Sequence, residues 1–172
     1  MELYKVHTTI LMPFVNQTLA ALADMADLKA TAGKGFAEDV AKFDSGGYAV
    51  CVAARTFGSI EGKVLMHHHD ATALAIGNNV RGKMLGEPSN AAVINDEIGE
   101  ALSEFANTVI GLATRELKKA DLKLEFSPPL FVTGSEDIKY IMEGVQEILS
   151  IPIDVAGVGK FFFSYLLHKK TA

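Results

Sequence analysis

Glu104 and Asn107 stand three residues apart in the run Glu97-Ile-Gly-Glu-Ala-Leu-Ser-Glu-Phe-Ala-Asn-Thr-Val-Ile-Gly-Leu-Ala113. On a helix that spacing puts a carboxylate and a carboxamide one turn apart on the same face. A wheel at roughly 100° per residue gathers Glu97, Glu100, Glu104, Asn107, Thr108, Gly111 and Arg115 on one side. Ile98, Leu102, Phe105, Ala106, Val109, Ala113 and Leu117 fall on the other, so the pair is expected to face away from the core. Neither side chain is a strong nucleophile. An Asn amide offers two donors and an acceptor and can hold a water in a fixed direction, which suits a reaction in which water must be aimed.

An exposed helix face carrying Glu and Asn is also what solubility requires, and the chain supplies its own control. Glu87-Pro-Ser-Asn90 has the same spacing, but Pro88 sits between its ends and Gly86 flanks it, so a loop without helical geometry is predicted there. Only the second copy lies in a helical pattern.

The elements that must position the pair follow from periodicity and punctuation. Pro13 suits the first turn of a helix that continues to about Leu28. Residues 31–47, with Gly33, Gly35, Gly46 and Gly47 and a short amphipathic piece at Phe36-Ala-Glu-Asp-Val40, read as a connection. Tyr48–Phe57 is rich in β-formers, Gly58 and Gly62 punctuate, and Lys63–Met66 follows, which predicts a hairpin. An Ala-rich helix is expected over 70–85 with Asp70 as its N-cap, closed by Gly86-Glu-Pro-Ser-Asn90, and a long helix over 91–119. Residues 122–126 and 130–133 read as extended, with Pro128 and Pro129 confining them to an edge or irregular position. Segments 137–142, 145–155 and 160–168 close the chain, with turns at Gly144 and Ala156-Gly-Val-Gly159. Ile151, Ile153 and Val155 alternate with Ser150, Pro152 and Asp154, as in a sheet with one wet face. Helix, hairpin, helix, long helix and several strands make an α+β domain, with helices packed on an antiparallel sheet. The two halves loosely echo each other, each a helix followed by strands.

The 172 residues suit one domain, 1–172, with a well-buried core. A net charge of −5 and a sequence pI near 5.5 argue against a nucleic-acid partner, which needs a basic stripe to neutralise phosphates. Cys51 is the only cysteine, so no intramolecular disulfide and no Cys-based zinc set forms. The first ten residues lack the basic start and apolar stretch of a signal peptide, and no apolar run approaches the roughly 20 residues that span a bilayer. A cytoplasmic protein without a membrane segment is expected.

Other constellations read as structural. His67-His-His69 alternates between faces if it lies on a strand, so three rings do not converge on one ion and a polar strand end is expected. Gly33-Lys-Gly35 and Gly157-Val-Gly159 are too short for a phosphate-binding fingerprint and read as turns. Phe161-Phe-Phe163 reads as core or a paired strand, and Ser164 and His168 show no triad order.

The long helical run resembles the signature helix of the CheC/CheX chemotaxis phosphatase family, and within it the CheX branch: Glu-x-x-Asn followed by an apolar pair and a small residue. Gly62-Lys-Val-Leu-Met66, Met84-Leu-Gly-Glu87 and Ser127-Pro-Pro-Leu-Phe-Val-Thr-Gly134 add to the similarity, which extends over residues 10 to 168. The resemblance implies a CheC/CheX-like fold and a substrate that is itself a protein, a phosphorylated CheY-like response regulator whose aspartyl phosphate carries its own Mg²⁺. It implies that Asn107 orients a water in line with the phosphorus and that Glu104 pairs with the regulator's active-site Lys. Glu100, Ser103, Thr108 and Gly111, on the same stripe, are the expected partner-binding residues, and the chain is expected to need no metal or cofactor of its own. Ser103 stands where relatives often carry Gly, and Phe105 where they carry a smaller aliphatic residue, at the expected contact. The first helix holds no second Glu-x-x-Asn, so one site per subunit of a homodimer is implied. The alternative is a non-catalytic module of the same fold that binds a receiver or another signalling partner without hydrolysing it.

Overall fold

A computed structural model describes residues 5–43, 50–58, 60–119, 124–133 and 135–168. Gly46, Gly47, Tyr48, Leu122 and Lys123, assigned above to turns and strand ends, lie outside them. Helix α1 (Met12–Ala26) has Pro13 in its first turn. It ends at Asp27, one of the few residue types that tolerate a left-handed φ, here 53°. A π-helical turn, Val6–Leu11, which no local signal announces, runs into α1 without a break.

The hairpin forms as expected, from β3 (Val50–Gly58) and β4 (Gly62–His68). The connecting segment before it differs from expectation. It contributes two three-residue strands, β1 (Ala30–Ala32) and β2 (Phe36–Glu38), which both pair with β7 (Val145–Val155). Their partners lie at the far end of the chain, so only the tertiary fold reveals them. At the opposite edge β5 (Leu124–Phe126) and β6 (Leu130–Thr133) both pair with β3, and Pro128 and Pro129 fall between them where no ladder bond is lost. With β8 (Gly159–His168) between β7 and β4, the order is β1-β7-β8-β4-β3-β5, and every pairing among the described residues is antiparallel. The hairpins β3–β4 and β7–β8 meet at the central β4·β8 pairing, which gives the loose internal echo a structural form.

Helix α2 (Asp70–Leu85) has the expected bounds, but its N-cap is His69 and not Asp70, which sits in the first turn where a carboxylate favours the helix dipole. Gly86, with φ of 71°, ends it. Helix α3 (Asp96–Lys119) starts later than its pattern suggests. Asn95 caps it, its Oδ1 accepting the Ile98 N–H at 3.0 Å. Residues 87–91 stay in a loop pinned to α2, because Asn78 Oδ1 accepts the Ala91 N–H at 2.8 Å and the Ser89 hydroxyl at 2.9 Å. The first closing segment is a helix, α4 (Ser135–Met142), and not a strand. No described helix is long and apolar enough to cross a membrane.

Phe14, Leu22, Ile76, Leu102, Phe105 and Val109 of the helices meet Val52, Met66, Ile151, Ile153, Phe161 and Phe163 of the sheet in the main core. Ile151, Ile153 and Val155 face it as expected, but the opposite face is not uniformly wet. Ser150 is fully buried there. Beside it Ala53, Leu65, Ile148 and Leu166 form a smaller apolar cluster with Ile141 of α4 and Val40 of a 3₁₀ turn. A second layer thus covers part of a face that simple alternation assigns to solvent.

Candidate active site

Helix α3 is held in one rotational setting. Ile98, Leu102, Phe105, Val109 and Leu117 are all at most 1% exposed. Each such side chain contributes about 1.5–3 kcal/mol by burial, so a rotation that buried Glu104 would forfeit on the order of 10 kcal/mol. Two glycines permit the close seating. A Cβ on Gly77 would lie 2.6 Å from Ile98 Cγ2, and one on Gly99 would lie 2.9 Å from the Phe131 ring, so α3 approaches α2 and β6 more closely than any side chain allows.

The opposite stripe is open. Glu104 and Asn107 are both exposed, and neither side chain bonds to any described residue. Both are therefore available to a partner. Glu97, earlier on the stripe, is already engaged with Arg81 at 3.0 Å, and Arg81 also donates to the Ser89 hydroxyl at 3.2 Å. This exposed pair contributes little energy but joins the end of α2 to the start of α3.

The expected partner-binding residues divide between two places. Glu100, Ser103 and Glu104 line an open groove of about 650 Å³ between α3 and the end of α2, floored by Met84, Leu85 and Phe131. Asn107, Thr108 and Gly111 do not line this groove and continue the stripe beyond it. Thr108 is half-buried, and a Cβ on exposed Gly111 would meet nothing within 4 Å, so the fold places no steric demand for glycine there. Phe105 is 1% exposed and packs into the core, on the side where the helical wheel puts it, so it does not stand at the contact that the family resemblance implied. Ser103 is the departure that borders the site. Sequence reasoning missed the apolar floor of the groove. Met84 and Leu85, 58% and 53% exposed, stand side by side at the end of α2, and that adjacent apolar pair just before Gly86 was the available signal.

Glu87 and Asn90, with the same spacing as the helical pair, lie in the loop pinned by Ser89 and have no helical relation to each other.

The histidine run is not a polar strand end. His67 and His68 are 2% and 1% exposed and stack on opposite faces of the sheet, His67 against Phe162 and His68 against Phe161. His67 Nε2 is 2.8 Å from Ser164 Oγ, which is 2.6 Å from Ser150 Oγ, which in turn donates to Glu38. Burial above all, then His68 and His69, pushes the His67 imidazole down to about 3, so it is neutral. The set contains serine, histidine and carboxylate, yet both serines are fully buried and the carboxylate is at the serine end of the chain, away from the ring. It knits four strands together and offers no nucleophile to a substrate. Among the described residues no three His, Cys, Asp or Glu side chains gather as metal ligands.

A sequence profile described as "Chemotaxis phosphatase CheX" matches residues 50–154, which include β3, β4, α2 and α3 with Glu104 and Asn107. No curated protein sequence matches the chain. Solved structures are similar over almost its whole length. A CheC-like superfamily protein from Shewanella sp. PV-4 has a TM-score of 0.73 at 19% identity over 94% of this chain and 99% of that one. The chemotaxis protein CheX from Vibrio vulnificus has a TM-score of 0.70 at 22% identity over 91% and 97%. The CheX–CheY–BeF₃–Mg²⁺ complex from Borrelia burgdorferi gives 0.69 at 19% identity over 93% and 98%. At these identities the likeness establishes the fold, while the profile spans more than half of the chain and contains the signature helix. By its sequence profile and its curled antiparallel sheet backed by that helix, this chain belongs to the CheX family of chemotaxis phosphatases.

Proposed function

We propose that this chain hydrolyses the aspartyl phosphate of a CheY-like receiver domain. The observation that carries this reading is the state of Glu104 and Asn107: one turn apart on a rigidly seated helix, exposed, and bonded to no other described side chain. A water held by the Asn107 amide attacks the phosphorus in line. The P–O bond to the receiver's Asp breaks, and that carboxylate leaves with the bond's electron pair. The Mg²⁺ that offsets the phosphoryl charge belongs to the receiver. Glu104 forms an ion pair with the receiver's active-site Lys and sets the angle of entry. The chemistry asked of this chain is positioning, comparable to the water-orienting Gln of GTPases. The similar Borrelia burgdorferi CheX, solved together with CheY, BeF₃ and Mg²⁺, supports the choice of partner.

One site per subunit is part of this reading, since α1 carries no matching pair, and so is a homodimer. Phe36, exposed on β2 at one edge of the sheet, supplies apolar surface for such a contact.

The test is to mix the purified protein at micromolar concentration with each phosphorylated receiver of its own organism and follow phosphate loss. A cognate receiver should lose phosphate faster than it does alone. Binding of a phosphorylated receiver with no change in rate would replace this reading with that of a non-catalytic docking module.

A further inference from the structure

On the sheet face opposite α1 and α3 lies a group of basic side chains that the proposed reaction does not use. Arg55 and Lys63 are direct cross-strand partners in β3 and β4, on the same face as Ala53 and Leu65 of the smaller apolar cluster. Like charges directly opposite each other destabilise a sheet, so this pairing needs a compensating reason. His168 of β8 adds a third basic group, and all three line one cavity of about 340 Å³ with Leu130, Tyr140, Ile141 and one carboxylate, Glu143, which makes no ion pair with them.

Compensation within the described residues is incomplete. No carboxylate among them makes an ion pair with Arg55 or Lys63. Lys63 Nζ donates to the carbonyl oxygens of Ile141 at 2.6 Å and Tyr140 at 3.4 Å near the end of α4, which uses two of its three donors. The Arg55 guanidinium lies 5.1 Å over the Phe57 ring, and its fork of N–H groups donates to no described residue. His168 Nε2 is buried without a hydrogen-bond partner among the described residues. The groups repel one another. Burial and then Arg55 lower the Lys63 ammonium below its ordinary range; burial, Lys63 and Arg55 lower the His168 imidazole, with Glu143 and Glu61 only partly opposing.

We propose that this cavity is a binding site for a small organic oxyanion, a phosphomonoester or carboxylate joined to an apolar or aromatic group, with Arg55 and Lys63 as its anchors. Arg presents a planar fork that matches an oxyanion bidentately, and Lys adds a point charge beside it. The organic part follows from size and lining. The cavity volume falls within the usual small-molecule range of about 300–1,000 Å³, well above what a bare ion fills. Leu130 and Tyr140, 58% and 71% exposed, offer apolar surface at its rim. This site is independent of Glu104 and Asn107, which lie on the other side of the sheet.

The probes are phenyl phosphate and benzoate, with phenol as the neutral control, titrated into the full chain while the amide NMR signals of Arg55, Lys63 and His168 are followed. Saturable shifts are expected at or below about 1 mM for at least one of the two anions, and which one binds distinguishes phosphate from carboxylate recognition. Phenol should not saturate. Arg55→Ala and Lys63→Gln should each weaken binding on the order of tenfold or more, as removal of a charged hydrogen bond does. The Glu104→Ala/Asn107→Ala double variant should bind as wild type does. Should Lys63→Gln perturb α4, exposed Arg55 decides alone. No saturable shift with either anion up to about 10 mM, undiminished affinity in Arg55→Ala, or phenol binding as well as the anions would overturn the proposal.

Discussion

Replacing Asn107 with Ala separates chemistry from folding because the structure predicts opposite effects on the two. Asn107 is exposed and its side chain bonds to no described residue, so the substitution deletes no contact. Alanine has the higher helix propensity by a few tenths of a kcal/mol, so stability should stay level or rise slightly. The rate should fall on the order of 10², or roughly 2.7 kcal/mol of barrier, which is the usual effect of losing or misplacing an orienting group. The Gln variant sharpens the test. It keeps the amide and moves it by one methylene, and a displacement of about 1 Å is itself enough to cost on the order of 10². The assay is initial phosphate release from an excess of phosphorylated cognate receiver, run beside thermal unfolding and a binding titration for each variant. Wild-type rates in Asn107→Ala would remove this residue from the mechanism. A loss of rate that follows a loss of melting temperature would mean that α3 is not the independently anchored platform described above.

Glu104→Ala should weaken receiver binding more than the rate within the complex, and the lost affinity should shrink as salt rises, since its role is an ion pair; unaltered binding with a collapsed bound-state rate would assign it to the chemistry instead. Replacing Glu87 and Asn90 together with Ala should leave phosphatase activity within about fivefold of wild type, because their loop cannot align them as a helix does; an inactive loop variant beside an active Glu104/Asn107 variant would reverse the assignment. Gly77→Ala should destabilise by about 1–3 kcal/mol through the 2.6 Å approach to Ile98. Gly111→Ala, with open space at its Cβ, should stabilise by about 0.5–1 kcal/mol while reducing receiver affinity, and chemical denaturation with a binding titration reads both. His67, held down to about 3 by burial, is neutral when folded and protonates near 6.5 when unfolded. Its contribution is complete above pH 6.5 and is lost as pH falls towards 3, by up to roughly 1.4 kcal/mol per pH unit. His67→Gln should flatten that part of the stability profile, and an unchanged acid slope would show that other groups set it.

The outward setting of Glu104 and Asn107 was already legible in the sequence, because a 3.6-residue period over some twenty positions leaves one rotational solution that buries Ile98, Leu102, Phe105 and Val109. The central hairpin, the proline-interrupted edge and the alternation of Ile151, Ile153 and Val155 were legible for the same reason, since each rests on neighbours in the chain. Tertiary structure decided what depends on distant partners. Strands β1 and β2 exist because β7 lies beside them, and three residues are too few to carry a period of their own. Ser150 and His67 are buried because Glu38, Ser164 and the ring of Phe162 arrive from other strands, although serine is mostly found exposed and histidine is found on either side of the surface. Met84 and Leu85 joined Glu104 when α2 was laid against α3. Arg55, Lys63 and His168 are unremarkable along the chain. Strand register alone makes them neighbours, because cross-strand proximity depends on which residues pair and not on how far apart they stand in sequence.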